Sequence, residues 1–144
     1  MSFAEAAEAT INGRTSGKRH PLDTSAWFDR IAVEVLSAVE EAERCIGGNR
    51  SNEYIVTMTD LRILACLAEY HAGRIHAGLA WGLFQYTDDL NMLDDAIRHE
   101  ERAIGIWSNL IEVAGDVYAD NLMMGRPEAG LSGVPRRGNC SSTD

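Results

Sequence analysis

The stretch that most constrains the fold runs from residue 59 to residue 118, and it predicts two long helices joined by a tight turn. In the first arm, one set of residues recurs at steps of three and four, the spacing of one helical face: Leu61, Leu64, Ala68, His71, Ile75, Leu79, Gly82 and Tyr86. A second apolar set lies on another side of the same helix: Ile63, Leu67, Tyr70, Ala77, Trp81 and Phe84. A helix that is apolar on more than one side usually lies between neighbours, so we expect this arm to be central.

The second arm follows the turn Thr87-Asp88-Asp89, whose acidic residues suit a helix N-terminus. The three-four rhythm continues after the turn, with a gap at Glu100 and Glu101, through Leu90, Leu93, Ile97, Ile104, Trp107, Ile111, Ala114 and Val117. Gly125 followed by Pro127 is a strong stop signal. We therefore expect the second helix to span residues 89–123.

A third helix is predicted before the hairpin, over residues 25–46. Asp23, Thr24 or Ser25 can cap its start, and Gly47-Gly48-Asn49 ends it. Its apolar face is formed by Phe28, Ile31, Val35, Ala38, Ala42 and Cys45. A short helix near the N-terminus is expected to precede a polar, basic linker over residues 12–21.

These patterns predict an all-α fold with three main helices at 25–46, 58–86 and 89–123, the last two antiparallel, because no stretch alternates as a strand would. The expected organisation is a short helix and flexible linker (1–24), a helical bundle domain (25–124) and a Gly/Ser/Pro/Arg-rich disordered tail (125–144). The expected core consists of Leu64, Leu67, Ile75, Leu79, Ile97, Ile104, Trp107 and Ile111.

Composition argues against several classes of partner. The formal net charge is -9, whereas proteins that bind nucleic acids or anionic membranes use Lys and Arg patches. No apolar run reaches membrane-spanning length, and the N-terminus has no pattern of a signal peptide, so we expect a cytoplasmic protein by default. Cys45, Cys66 and Cys140 form no CxxC pair, which fits a reducing compartment.

The sequence contains no recognisable catalytic constellation. None of the four histidines has a glutamate three residues before it, so the pattern of a di-iron bundle is missing. Neighbouring acids such as Asp94 and Asp95 point about 100° apart on a helix and do not form an acid/base pair. No serine-hydrolase order, phosphate loop or dinucleotide fingerprint occurs. We therefore expect no metal, no cofactor and no catalytic residue in the chain.

Two patches are candidate binding sites. Glu100 and Glu101 interrupt an apolar stripe, so we expect one of them to turn inward toward His71, Arg74 or Arg102, which makes His71, Arg74 and Glu100 the first candidates. The second patch is the acidic and aromatic end of the last helix, with Asp116, Tyr118 and Asp120. Tyr118 and the three tryptophans suit stacking on sugar rings. The favoured interpretation, however, places Trp27, Trp81 and Trp107 in the core.

Three segments carry a resemblance: Asp60-Leu-Arg-Ile-Leu-Ala, Glu69-Tyr-His-Ala-Gly-Arg-Ile and Ala114-Gly-Asp-Val-Tyr-Ala-Asp-Asn-Leu-Met-Met-Gly. Over residues 26–133 the chain resembles the helical region near the C-terminal end of large bacterial glycoside-hydrolase-like proteins. That resemblance implies catalysis in a separate domain, so no catalytic residue is carried over. In that region His-Trp would follow Gly133, whereas Val134-Pro-Arg-Arg follows here, and we therefore expect a fragment from a truncated or frame-shifted reading frame.

Three functions are consistent with these patterns. The first is a non-catalytic helical accessory module, a remnant of a larger bacterial carbohydrate-active protein that would reach carbohydrate only through a missing domain. The second is a protein-interaction scaffold that is similar to a short helical repeat. The third is a small helical enzyme with a site near His71 and Glu100. The first two predict an exposed apolar helix face that binds a protein partner or a second copy of the chain.

Overall fold

A computed structural model describes residues 1–48, 50–115 and 117–118, and secondary structure within them is entirely helical. Four helices follow one another: α1 (Phe3–Ile11), α2 (Pro21–Ile46), α3 (Asn52–Thr87) and α4 (Leu90–Ala114). The all-α prediction is confirmed. The described residues form four helices where three main helices were predicted, and the additional one, α1, lies where the short N-terminal helix was expected. The predicted tail over residues 125–144 lies outside the described residues.

Helices α2 and α3 begin earlier than predicted because their caps lie further upstream. His20 caps α2, where its ring Nδ1 accepts a hydrogen bond from the N–H of Leu22 at 3.2 Å, and Pro21 occupies the first turn. Ser51 caps α3, where its hydroxyl accepts from the N–H of Tyr54 at 3.2 Å. The segment after Asn52 is therefore helical, and α3 extends over 36 residues, or about 54 Å.

The α3–α4 turn lies where the sequence places it, whereas α4 ends earlier than predicted. Asp88 has a left-handed backbone with φ of 53°, and Asp89 caps α4 by accepting from the N–H of Asn91 at 3.0 Å. At the other end Gly115 adopts a φ of +48°, which terminates the helix at Ala114 rather than near residue 123. Glycine takes this conformation without the steric penalty that a side chain would bring.

The central helix α3 packs against all three others, as its two apolar sides predict. Small side chains form most of these interfaces, because the fully or nearly buried apolar residues are chiefly alanines: Ala6, Ala7, Ala32, Val39, Ala65, Cys66, Ala68, Ala72, Ala77, Leu79, Ala80, Ala96 and Ala103. Helix separation is set by the side chains at the contact, so such interfaces bring the backbones close together. The result is a layer in which α2 and α4 flank α3.

Small residues recur every seven positions along these interfaces, as in an antiparallel coiled coil. On α2 the buried series is Ser25, Ala32 and Val39, and the Ser25 hydroxyl donates to the carbonyl of Ala72 on α3 at 3.2 Å. Between α3 and α4, a Cβ atom added at Gly73 would meet the Ala103 Cβ at 3.6 Å. These contacts bring each neighbour close to α3 at the small residues, and larger half-buried side chains, such as Phe28, Val35 and Leu36 on α2, pack beside the alanines.

Helix α1 packs on the C-terminal half of α3 through two glycines. A Cβ atom at Gly78 would lie 2.8 Å from the Phe3 ring, and one at Gly82 would lie 3.3 Å from the Ala7 Cβ. Only a residue without a side chain lets α1 approach this closely. At the exposed start of α1, a hydrogen bond from the Lys18 ammonium lowers the pKa of Glu5 to about 2 and ties the linker to the helix.

The predicted core is largely wrong. Leu79 is buried as expected, and Leu67 and Ile75 are half-buried. The remaining five are 45–60% exposed: Leu64, Ile97, Ile104, Trp107 and Ile111. The interpretation of the tryptophans as core residues is also wrong, since Trp27, Trp81 and Trp107 are all exposed. The reason is that α4 turns its alanines toward α3, so its isoleucine stripe lies beside the interface rather than in it.

We predict that Ala103→Leu destabilises the fold by about 1–3 kcal/mol, because a larger side chain cannot fit against Gly73 without separating α3 from α4. The matched control is Gly105→Leu on the same helix, where a Cβ atom would meet nothing within 4 Å. That change should be neutral or stabilising, since leucine favours the helix over glycine by up to about 1 kcal/mol. Urea unfolding followed by circular dichroism checks both, and equal effects would contradict the proposed packing.

Candidate functional site

An open groove lies over α3, between α4 on one side and α1 with the start of α2 on the other. Its volume is about 750 Å³. Aromatic and aliphatic side chains dominate its lining, which consists of Phe3, Phe28, Tyr70, His71, Arg74, Ile75, Ala77, Gly78, Trp81, Leu93, Ala96, Ile97 and Glu100. The groove exists because the small-residue interfaces leave the larger side chains on the faces of the layer.

A single ion pair supplies the charge in this groove. One guanidinium nitrogen of Arg74 donates to Glu100 Oε1 at 2.7 Å and to the Tyr70 hydroxyl at 3.4 Å, and the guanidinium lies 5.9 Å from the Tyr70 ring centre. Both charged side chains are partly exposed, so the pair stabilises the fold by only about 0–1 kcal/mol. Its main effect is to fix two polar groups at a defined point on an apolar surface.

A chain of tilted and edge-on rings crosses the three long helices at the groove. Trp27 contacts Phe28 on α2, with ring centres 5.2 Å apart, and Phe28 contacts His71 on α3 at 5.7 Å. His71 continues to Tyr70 at 5.4 Å, and Tyr70 contacts Trp107 on α4 at 5.1 Å. Exposed aromatic surface of this extent is typical of protein interfaces, where these residues are enriched.

A stripe of large apolar residues on α4 extends the groove along that helix. We call it the α4 stripe; it consists of two series with seven-residue steps, Leu90, Ile97, Ile104 and Ile111 in one and Leu93, Glu100 and Trp107 in the other. All four members of the first series are exposed. Since Ile97 lines the groove and Trp107 packs on Tyr70, the groove and the stripe form one continuous surface, which we call the apolar face.

The other side of the layer carries a histidine pair between α3 and α4. His76 and His99 stack with ring centres 5.0 Å apart, in a smaller pocket of about 250 Å³ that Asp29, Glu69 and Arg102 help to line. Burial, followed by the neighbouring His76, lowers the pKa of His99. Within the described ranges, no group of three or more His, Cys, Asp or Glu residues is placed to hold a metal ion.

The structure brings three of the six predicted site residues together. His71, Arg74 and Glu100 all line the groove, and the inward acid expected at residues 100–101 is Glu100, paired with Arg74. Tyr118 follows the end of α4 and does not line the groove, while Asp116 and Asp120 lie outside the described residues.

The helical spacing of the sequence assigned Phe28, Trp81 and Ile97 to apolar faces that pack inside the fold, whereas all three line the groove. The series of alanines and glycines beside each apolar stripe could have identified the packed face, because helices approach closely through small residues.

Comparisons with known proteins found no relative: no protein-family model, no curated protein and no solved structure matches this chain. Among the described residues, no helix combines the length and the apolar character needed to cross a membrane.

We predict that the protein loses stability as the pH falls below about 6.5, the ordinary pKa of histidine. Between the lowered pKa of His99 in the folded state and 6.5, the folded protein keeps His99 largely neutral, whereas the unfolded chain takes up the proton. The contribution is therefore complete above that pH and is lost as the pH falls. Urea unfolding at about pH 8 and about pH 5.5 measures the effect.

The variant His99→Gln should weaken this pH dependence. His71→Gln, on the groove side of the layer, controls for the loss of one imidazole and should leave the contribution of His99 in place. An unchanged pH dependence in His99→Gln would contradict the role given to the stacked pair.

Proposed function

We propose that this chain is a non-catalytic helical accessory module that docks onto another protein domain through its apolar face. The observation that carries the proposal is the exposure of large side chains along one continuous surface: Trp81, Ile97, Ile104, Trp107 and Ile111 are all between 45 and 60% exposed. Contiguous apolar surface of this kind marks interaction sites on folded proteins.

The architecture supports docking because the layer is incomplete over α3. A helix normally buries its apolar stripe against another element, and helical domains close around one core. Here α2 and α4 lie on either side of α3, and the residues buried between these helices are mostly small. Among the described residues, nothing covers the apolar face over the groove, so a further packing element suits this position.

We propose that the partner domain is the catalytic portion of a bacterial carbohydrate-active protein. The support is the resemblance to the helical region of large glycoside-hydrolase-like proteins, two of whose similar segments, residues 60–65 and 69–75, lie on α3. The second of these segments carries Tyr70, His71 and Arg74 into the groove. In this proposal the module binds protein, and any contact with carbohydrate is made by the partner domain.

A second candidate function is the binding or conversion of a small molecule near His71 and Glu100. One observation favours it: about 750 Å³ lies within the range of about 300–1,000 Å³ that is typical of ligand pockets. We place it second because Arg74 already pairs with Glu100 and because the groove continues into the α4 stripe. A surface that extends along a whole helix suits a macromolecular partner better than a small ligand.

We predict that the purified chain binds the apolar dye ANS and that Ile104→Lys reduces this binding several-fold, because a charge in the middle of the α4 stripe disrupts the apolar face. Val33→Lys is the matched control. Val33 is similarly exposed, but it lies on α2 four residues after Asp29, which lines the pocket on the opposite side of the layer. Titration by fluorescence measures both. A compact monomer that binds no dye would contradict docking and favour the second candidate.

The identity of the partner domain is tested through the neighbouring gene. We expect an adjacent reading frame to encode a barrel or sandwich domain and its product to form a complex with this chain on co-expression. Ile104→Lys should prevent the complex, and Val33→Lys should preserve it. A neighbouring barrel or sandwich product that forms no complex with the wild-type chain would contradict the carbohydrate-active assignment.

A further inference from the structure

We infer that the element that docks on the apolar face is a basic amphipathic helix that packs along the α4 stripe. This inference rests on the proposed docking function and adds the chemistry of the partner. It is carried by two observations on α4, the seven-residue period of the exposed stripe and the acidic residues that border it.

The α4 stripe has the spacing of one side of a two-helix coiled coil. Ile97, Ile104 and Ile111 repeat every seven residues, and Trp107 belongs to the second series that a coiled coil requires. Branched isoleucine in the first series is typical of two-stranded coiled coils. Because α4 has 25 residues and is about 37 Å long, the stripe accommodates a partner helix of similar length.

Only one side of this stripe is available to a partner. Ala96 and Ala103 border it on the side that packs against α3, and both are buried there. Asp94 and Glu101 border it on the free side, also seven residues apart, and both are exposed. Among the described residues neither joins an ion pair, since the α4 acids that do are Asp95 with Arg98 and Glu100 with Arg74.

The free border therefore favours Lys or Arg on the partner helix. Residues at these flanking positions of coiled coils choose partners through charge, and opposite charges across the pair add specificity. Glu100 places a further carboxylate within the stripe, held at its position by Arg74. A polar residue within such a seam fixes the register of the partner.

A second copy of the chain is a poorer occupant for an electrostatic reason. In an antiparallel pair of α4 helices, Asp94 and Glu101 would face the same acids of the other copy. In a parallel pair, these acids would face the Ala96 and Ala103 border of the other copy, which is already buried against α3. Each copy also carries a net charge of -9, so the pair would repel at long range.

The test uses two synthetic helical peptides of about 21 residues, the length of three heptads. The peptides share leucine and isoleucine in the seam and differ only at the flanking positions, which carry lysine in one and glutamate in the other. Calorimetric titration at low salt should show that the lysine peptide binds at least about tenfold more tightly than the glutamate peptide. Ile104→Lys should remove this binding, and Val33→Lys should retain it.

A charge reversal tests whether Asp94 and Glu101 select the peptide by its charge or whether burial of the apolar seam alone drives binding. The double variant Asp94→Lys/Glu101→Lys should prefer the glutamate peptide. The matched control Glu8→Lys/Glu40→Lys changes the net charge equally on α1 and α2, and it should keep the preference of the wild type. Both variants replace exposed acids, and circular dichroism verifies that each remains folded.

The outcomes are distinguishable. Equal affinity for the two peptides, or a preference that does not follow the charge reversal, overturns the inference. A dimer in sedimentation velocity that Ile104→Lys dissociates shows that a second copy occupies the face, and it also overturns the inference. Dye binding that depends on Ile104, without binding of either peptide, overturns the basic helix and preserves the docking function. If the wild-type chain binds neither dye nor peptide, both proposals fail.

Discussion

The structure depends on the close packing of small side chains along α3. Alanine and glycine lie where the helices approach most closely, as at Gly73 against Ala103 and at Gly82 against Ala7, and larger half-buried side chains pack beside them. The same contacts determine which way each helix faces. Once the alanines of α4 lie against α3, its isoleucines must lie beside the interface. The apolar face is therefore a geometric consequence of how the layer is held together.

This arrangement links stability to docking. Alanine buries little apolar surface, and the hydrophobic contribution is roughly 25 cal/mol per Å² of surface removed from water. The exposed isoleucines and tryptophans carry more apolar surface, and burying them under a partner would contribute more hydrophobic free energy. A partner that binds only the folded chain stabilises it through mass action. On the opposite side, the lowered pKa of His99, which stacks on His76, predicts a sensitivity to acid at the α3–α4 interface, away from the proposed docking surface.

Much of the local structure followed from sequence patterns. The three-four spacing predicted each long helix, and the turn at Asp88 and Asp89 was correctly placed. Either Glu100 or Glu101 was expected to turn inward, and the structure pairs Glu100 with Arg74. The helix ends were harder to predict. His20 rather than a more common capping residue begins α2, and Gly115 rather than a later glycine ends α4. Histidine is an uncommon cap, and a helix pattern that continues past a glycine gives no sign that the backbone has turned there.

By itself, the sequence determined that this chain is helical and that α3 is central. It also determined that the apolar residues of the neighbouring helices recur with helical spacing. Only the tertiary structure decided which of two adjacent stripes on α4 faces inward. The isoleucine series and the alanine series share the same seven-residue period, so periodicity cannot choose between them, and hydrophobicity favours the wrong one. Close approach of two backbones requires small residues on both sides, and Gly73 meets that requirement only with a partner such as Ala103. Which stripe of α4 faces α3 is decided by the shape of the neighbouring helix. The sequence pattern of α4 alone carries no information about that shape.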